Sequence, residues 1–86
     1  MRRAARRDAN EGPIVDALRA IGVVVVYISS DDAPDLLTWH QGTWLPIEVK
    51  EPGELLRPGQ QKLYDQARFP VVRSVAQALE LFGVNG

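Results

Sequence analysis

Two acids and a lysine carry the chemistry this chain is best equipped for: Asp35, Glu48 and Lys50. Carboxylates held close together can share a hard divalent cation through their oxygens. A lysine beside such a cation can orient a water and, as the ammonium, stabilise charge building on a phosphate, or, as the neutral amine, take the water's proton.

A hairpin brings these groups together. Residues 36–39 and 44–49 are apolar or β-branched almost throughout, and Gln41-Gly42 between them makes a two-residue turn in which glycine supplies a positive φ. In that register His40 faces Thr43, Trp39 faces Trp44, Leu37 faces Pro46 and Asp35 faces Glu48. Opposed Cβ atoms lie about 4.5–5.5 Å apart, and alternation puts Asp35, Glu48 and Lys50 on one face. Ile47 and Val49 point the other way, toward a core. Like charges set opposite one another repel, so the pair calls for a compensating cation, either a metal or the Lys50 ammonium.

A plainer reading uses the same residues. Asp35 starts a strand, Glu48 and Lys50 pair on a solvated face, and the two tryptophans make an ordinary cross-strand contact. Pro46 lacks an amide donor and asks for an outward edge or a bulge, and a bulge would shift the register.

The elements around the hairpin follow from periodicity. Ile14, Val15, Leu18 and Ile21 form one apolar stripe, which predicts a helix over 13–21 with Pro13 in its first turn and Gly22 at its end. Glu11 either joins the inward face of that helix or serves its N-terminus, where Asp8 and Glu11 have capping-box spacing. Val23 to Ile28 is a continuous apolar run and predicts a buried central strand. Asp31 and Asp32 read as solvated turn acids. Glu51 to Gly59 is a loop rich in proline and glycine; a helix from Gln60 to Arg68 follows, then a short strand at 71–73. Ser74 caps a last helix lined by Val75, Ala78, Leu79 and Phe82, with Glu80 outward.

Pro34-Asp35 followed by Glu48-Val49-Lys50 resembles the PD-(D/E)xK nuclease signature, and the small chain around it is similar to the VRR-NUC branch, the virus-type replication and repair nucleases. The likeness runs from Glu11 to Phe82, with Ala33 where relatives commonly carry glycine. It implies an α/β fold, a minimal restriction-endonuclease-like core of order αβββαβα with a mixed sheet flanked by helices. It also implies hydrolysis of DNA phosphodiesters with Mg²⁺, or Mn²⁺ as a substitute. Asp35, Glu48 and the Val49 carbonyl would hold the ion, with Glu11 a direct or water-mediated ligand. Lys50 would serve the attacking water. Gln60, in a Gln-x-x-x-Tyr pair with Tyr64, would position it, with Gln61 as the adjacent competitor. Small relatives imply a homodimer cutting branched DNA such as a four-way junction, in replication, repair or recombination.

Composition sets the outer bounds. Eighty-six residues make one domain, with a basic arm at 1–8, that can bury only about 60–65% of its extended surface. A second subunit would help it, and Leu55, Leu56 and Phe69 are candidate interface residues. The absence of cysteine excludes disulfides and thiolate metal sites, and the single histidine excludes histidine-rich zinc chemistry. No stretch is a membrane span or a signal core, so an intracellular, cytoplasmic protein is expected, with a viral or phage origin open. The net charge of −1 is not that of a dedicated nucleic-acid binder, but Arg2, Arg3, Arg6 and Arg7 are clustered and, with Arg57 and Lys62, are candidate phosphate contacts. The arginine cluster reads equally as a solvated terminus. Two rival readings stand beside the nuclease: a catalytically inactive subunit of the same fold that binds DNA or a partner, and an unrelated α/β interaction module.

Overall fold

The apolar stripe of the first helix and the alternation of the hairpin meet on one side of a sheet. The structure, a computed structural model, describes residues 9–84. In chain order it holds α1 (Glu11–Ala20), β1 (Val24–Tyr27), β2 (Leu36–His40), β3 (Thr43–Val49), α2 (Pro58–Ala67), β4 (Val71–Val72) and α3 (Val75–Glu80). It is a small mixed α/β domain with a four-stranded sheet in the order β1-β2-β3-β4. The first three strands are antiparallel, and β4 runs parallel to β3. Among the described residues no helix is long and apolar enough to cross a membrane.

The hairpin has the expected register: His40 pairs with Thr43, Trp39 with Trp44 and Leu37 with Pro46, ending at Leu36 with Ile47. Gln41 and Gly42 both take positive φ, 50° and 85°, as a type I′ turn requires. Pro46 causes no bulge. Its nitrogen lies on the β4 side of β3, and β4 is so short that it pairs only with Glu48 and Val49, so no ladder bond is lost.

Ile14, Val15 and Leu18 of α1 and Ala78 of α3 pack with Val25, Leu36, Ile47, Val49 and Val72 of the sheet. Removing these side chains from water is the main term holding so small a domain together. Ser74 caps α3 as expected, its hydroxyl accepting from the Gln77 amide.

Four expectations are corrected. α1 starts at Glu11, not Pro13, because the first N–H groups of a helix need no helical partner and a proline there breaks no bond; its N-cap is Asn10, and Asp8 lies outside the described residues. β1 is an edge strand rather than a central one: Val24 and Val26 are half exposed and only Val25 is buried within it. α2 starts at Pro58, which fits the first helical position. Phe69 is 4% exposed and stacks edge-on against Tyr64, so it is no surface anchor, whereas Leu55 is 82% exposed.

The second face of the sheet is open along β1, β2 and the start of β3, where Trp39 and Trp44 contact each other at 5.0 Å between ring centroids. It closes only at the end of β3, under the first turn of α2.

Candidate functional site

Glu48 sits between two core residues, Ile47 and Val49, so its side chain must leave by the opposite sheet face. It does not reach water. The residue is 1% exposed, its Oε2 accepts from Gln60 Nε2 at 3.0 Å, and Lys50 Nζ stands 3.6 Å from the same oxygen. Its other oxygen, Oε1, is buried and has no hydrogen-bond partner among the described residues. Burial of the carboxylate, reinforced by the negative charge of Asp35, pushes the Glu48 pKa up to about 7, with the Lys50 ammonium and the Asp35 amide pulling partly back.

Asp35, half-buried, stands one residue before β2. Its carbonyl accepts from the Ile28 amide at 2.8 Å, and its Oδ2 accepts from the Val49 amide at 3.1 Å. A side-chain oxygen thus continues the ladder past the last backbone pair. This fixes the acid beside the end of β3, close enough for its charge to be felt at Glu48.

Gln60 is held at both ends, its Oε1 accepting from the Arg57 amide at 2.9 Å while its amide points at Glu48. Gln60 is the one residue that α2 buries. Gln61 instead bonds Asp65 on the exposed side, and Tyr64 packs edge-on against Phe69. The first turn of α2 also leaves no room at Gly59, where an added Cβ would run into the Asp32 carboxylate. Asp32 is therefore seated over the start of the helix, where its charge is favoured.

Lys50 is 3% exposed, and a second acid faces it: Glu54 Oε2 lies 3.5 Å from its Nζ. Sequence reasoning missed Glu54. The signal was Glu51-Pro52-Gly53-Glu54, a proline followed by a glycine with φ 83°, the pattern of a tight turn that folds the chain back. Arg73 Nη1 donates to the carbonyls of Glu51 and Glu54 at 2.8 and 2.6 Å. Asn10 Nδ2 bonds the carbonyls of Lys50 and Arg73 at 3.0 and 3.3 Å. That last pair of bonds sets the start of α1, and with it the buried Glu11, against the end of β3.

The fold therefore gathers Asp35, Glu48, Lys50 and Gln60 at one end of β3, with Glu11 at the neighbouring helix start. Among the described residues no three His, Asp or Glu side chains form a ready metal-ligand group. Arg57 is exposed, with its guanidinium bonded to the Asp31 carbonyl, and Lys62 is exposed on α2. Arg2, Arg3, Arg6 and Arg7 lie outside the described residues. No protein-family model, curated protein or solved structure matches the chain.

Proposed function

We propose that the chain is a metal-dependent DNA endonuclease of the PD-(D/E)xK kind, with a VRR-NUC-like, restriction-endonuclease-like core, that hydrolyses phosphodiester bonds in branched DNA as a homodimer. The observation that carries this is the buried, unpartnered Oε1 of Glu48 beside a second carboxylate. Leaving a buried carboxylate oxygen unsatisfied costs stability, and a cation at that place would satisfy it and cancel the repulsion from Asp35.

The donors present fit Mg²⁺ or Mn²⁺, which bind through one or two carboxylates and keep waters and substrate phosphate oxygens. Asp35, Glu48 and the Val49 carbonyl would hold the ion, with Glu11 a direct or water-mediated ligand. When bound, it supplies charge stabilisation to the phosphate and acidifies water. Lys50 orients the attacking water and balances charge on the phosphate: the water oxygen bonds to phosphorus and gives its proton to solvent, while the bond from phosphorus to a deoxyribose oxygen breaks and that oxygen takes a proton from solvent. Gln60, pinned by Arg57, holds its amide toward Glu48 and so fixes the acid's orientation. Asp35 is the half-buried member, so substrate would enter from its side.

One observation favours a second reading, a nuclease-fold subunit that binds DNA or a partner without cutting. Lys50 and Glu48 are almost fully buried and already paired with each other, an arrangement that serves structure as readily as catalysis. Cleavage separates the two. Wild type, Asp35→Asn and Lys50→Met are incubated with plasmid, flap and four-way-junction DNA, with and without Mg²⁺ or Mn²⁺. The nuclease reading expects metal-dependent cutting by wild type alone and saturable Mn²⁺ binding that Asp35→Asn abolishes. Equal cutting by all three, or none by wild type, rejects it.

A further inference from the structure

We propose that Glu54 is a positioning residue for Lys50, one that holds the ammonium at the site when Glu48 is engaged elsewhere. The catalytic consequence rests on the nuclease reading; the placement of Lys50 does not.

A lysine has a flexible four-carbon stem, so a single anion at one side does not fix its ammonium. Lys50 has two, Glu48 at 3.6 Å and Glu54 at 3.5 Å. They differ in what holds them. Glu48 belongs to the acid pair that would take a cation, and a cation there competes with Lys50 for the same carboxylate. Glu54 belongs to a separate scaffold. Its Oε1 accepts from the Glu51 amide at 2.8 Å, and its own amide donates to the Glu51 carbonyl at 3.0 Å.

Arg73 then fastens that turn to the end of β4, the strand hydrogen-bonded to β3 through Glu48 and Lys50 themselves. The turn is thus built from the same sheet that carries Lys50, and it delivers a carboxylate to one side of the ammonium. Glu54 remains partly open to water, with 38% of its side chain exposed. It is therefore the acid that stays beside Lys50 when Glu48 turns toward a metal.

The test uses the full chain and two readouts. Lys62, exposed on α2, is an internal standard for amine acylation followed by peptide mass spectrometry. Measured in a Glu48→Gln background, where Glu48 no longer offers an anion, the Lys50 amine of Glu54→Gln should label about fivefold faster relative to Lys62, and Glu54→Asp should restore part of the protection. In the cleavage assay Glu54→Gln should lower kcat about tenfold with KM for DNA and Mn²⁺ affinity unchanged, which a general loosening of the fold would not do. Unchanged Lys50 labelling in Glu54→Gln on the Glu48→Gln background overturns the proposal. So does faster labelling with full kcat in a protein that Lys50→Met inactivates. If wild type does not cleave DNA at all, the nuclease reading falls, and labelling alone decides whether Glu54 places Lys50.

Discussion

Gln60 donates its side-chain amide to Glu48 Oε2 at 3.0 Å while its own oxygen is tied to the Arg57 amide, so the buried acid is held by a neutral group whose orientation is fixed. Gln60→Ala removes a donor from a carboxylate that water does not reach. Urea unfolding should show a loss of about 1–3 kcal/mol, whereas Gln61→Ala, on the solvent side of the same turn, should stay within about 0.5 kcal/mol of wild type. Equal effects at the two positions would mean that Gln60 is merely a helix-start residue.

Stability should fall as pH rises through the range in which Glu48 ionises. Its folded-state pKa of about 7 lies above the ordinary 4.5, so between these values the folded chain binds more protons than the unfolded one. The contribution of the protonated group is complete below about 4.5 and is lost as pH rises through about 7. Glu48→Gln, which keeps the shape and cannot ionise, should remove that slope. At pH 8 without metal it should be more stable than wild type, by on the order of 2–3 kcal/mol. The difference between the two denaturation curves across pH 4–8 is the measurement, and a flat difference would show that Glu48 ionises at its ordinary pKa.

The turn makes a separate prediction. Gln41 holds φ 50°, a left-handed conformation that strains most residues and that asparagine accepts more readily. Gln41→Asn should raise stability by about 0.5–1 kcal/mol, and Gly42→Ala, at φ 85°, should lower it by more than that. Thermal unfolding of both variants, far from the acids, tests the hairpin independently of any chemistry.

The hairpin was legible in the sequence because two constraints agreed. A glycine-containing two-residue turn set the register, and Ile47 and Val49 had to face a core, which sent Glu48 and Lys50 the other way. The position of β1 was not legible, because a run of valines reads the same on an open sheet face as in a buried strand. The start of α1 was obscured by Gly12 and Pro13, residues that usually lie outside helices but are harmless in a first turn. Asp35 and Glu48 could be placed by counting along the strands. Glu54 could not, since its distance from Lys50 depends on how the 51–54 turn folds and on an arginine 19 residues further along that pins it. The orientation of Gln60 likewise depended on α2 starting at Pro58, which makes Gln60 the third helical residue and lets its oxygen reach back to Arg57.

Lys50 shows how charge and fold are coupled at this place. Its ammonium is the nearest cation to a buried carboxylate, and removing one partner of such a pair leaves the other buried and uncompensated. Lys50→Met keeps the stem and loses the charge. At pH 8, with Glu48 ionised, it should cost on the order of 3 kcal/mol without metal; at pH 5, where Glu48 is protonated, the cost should drop below about 1 kcal/mol. Combining it with Glu48→Gln should recover most of the pH 8 loss, because neither ion then remains, and a double-mutant cycle by chemical denaturation measures that coupling. A Lys50→Met variant equally destabilised at both pH values would show that the lysine stem supports the fold by packing, with its charge uncoupled from Glu48. If the coupling is found, loss of cleavage by Lys50→Met should be read at a pH and metal concentration where the variant is fully folded, since a cation bound between Asp35 and Glu48 should itself restore part of the stability that the missing ammonium removed.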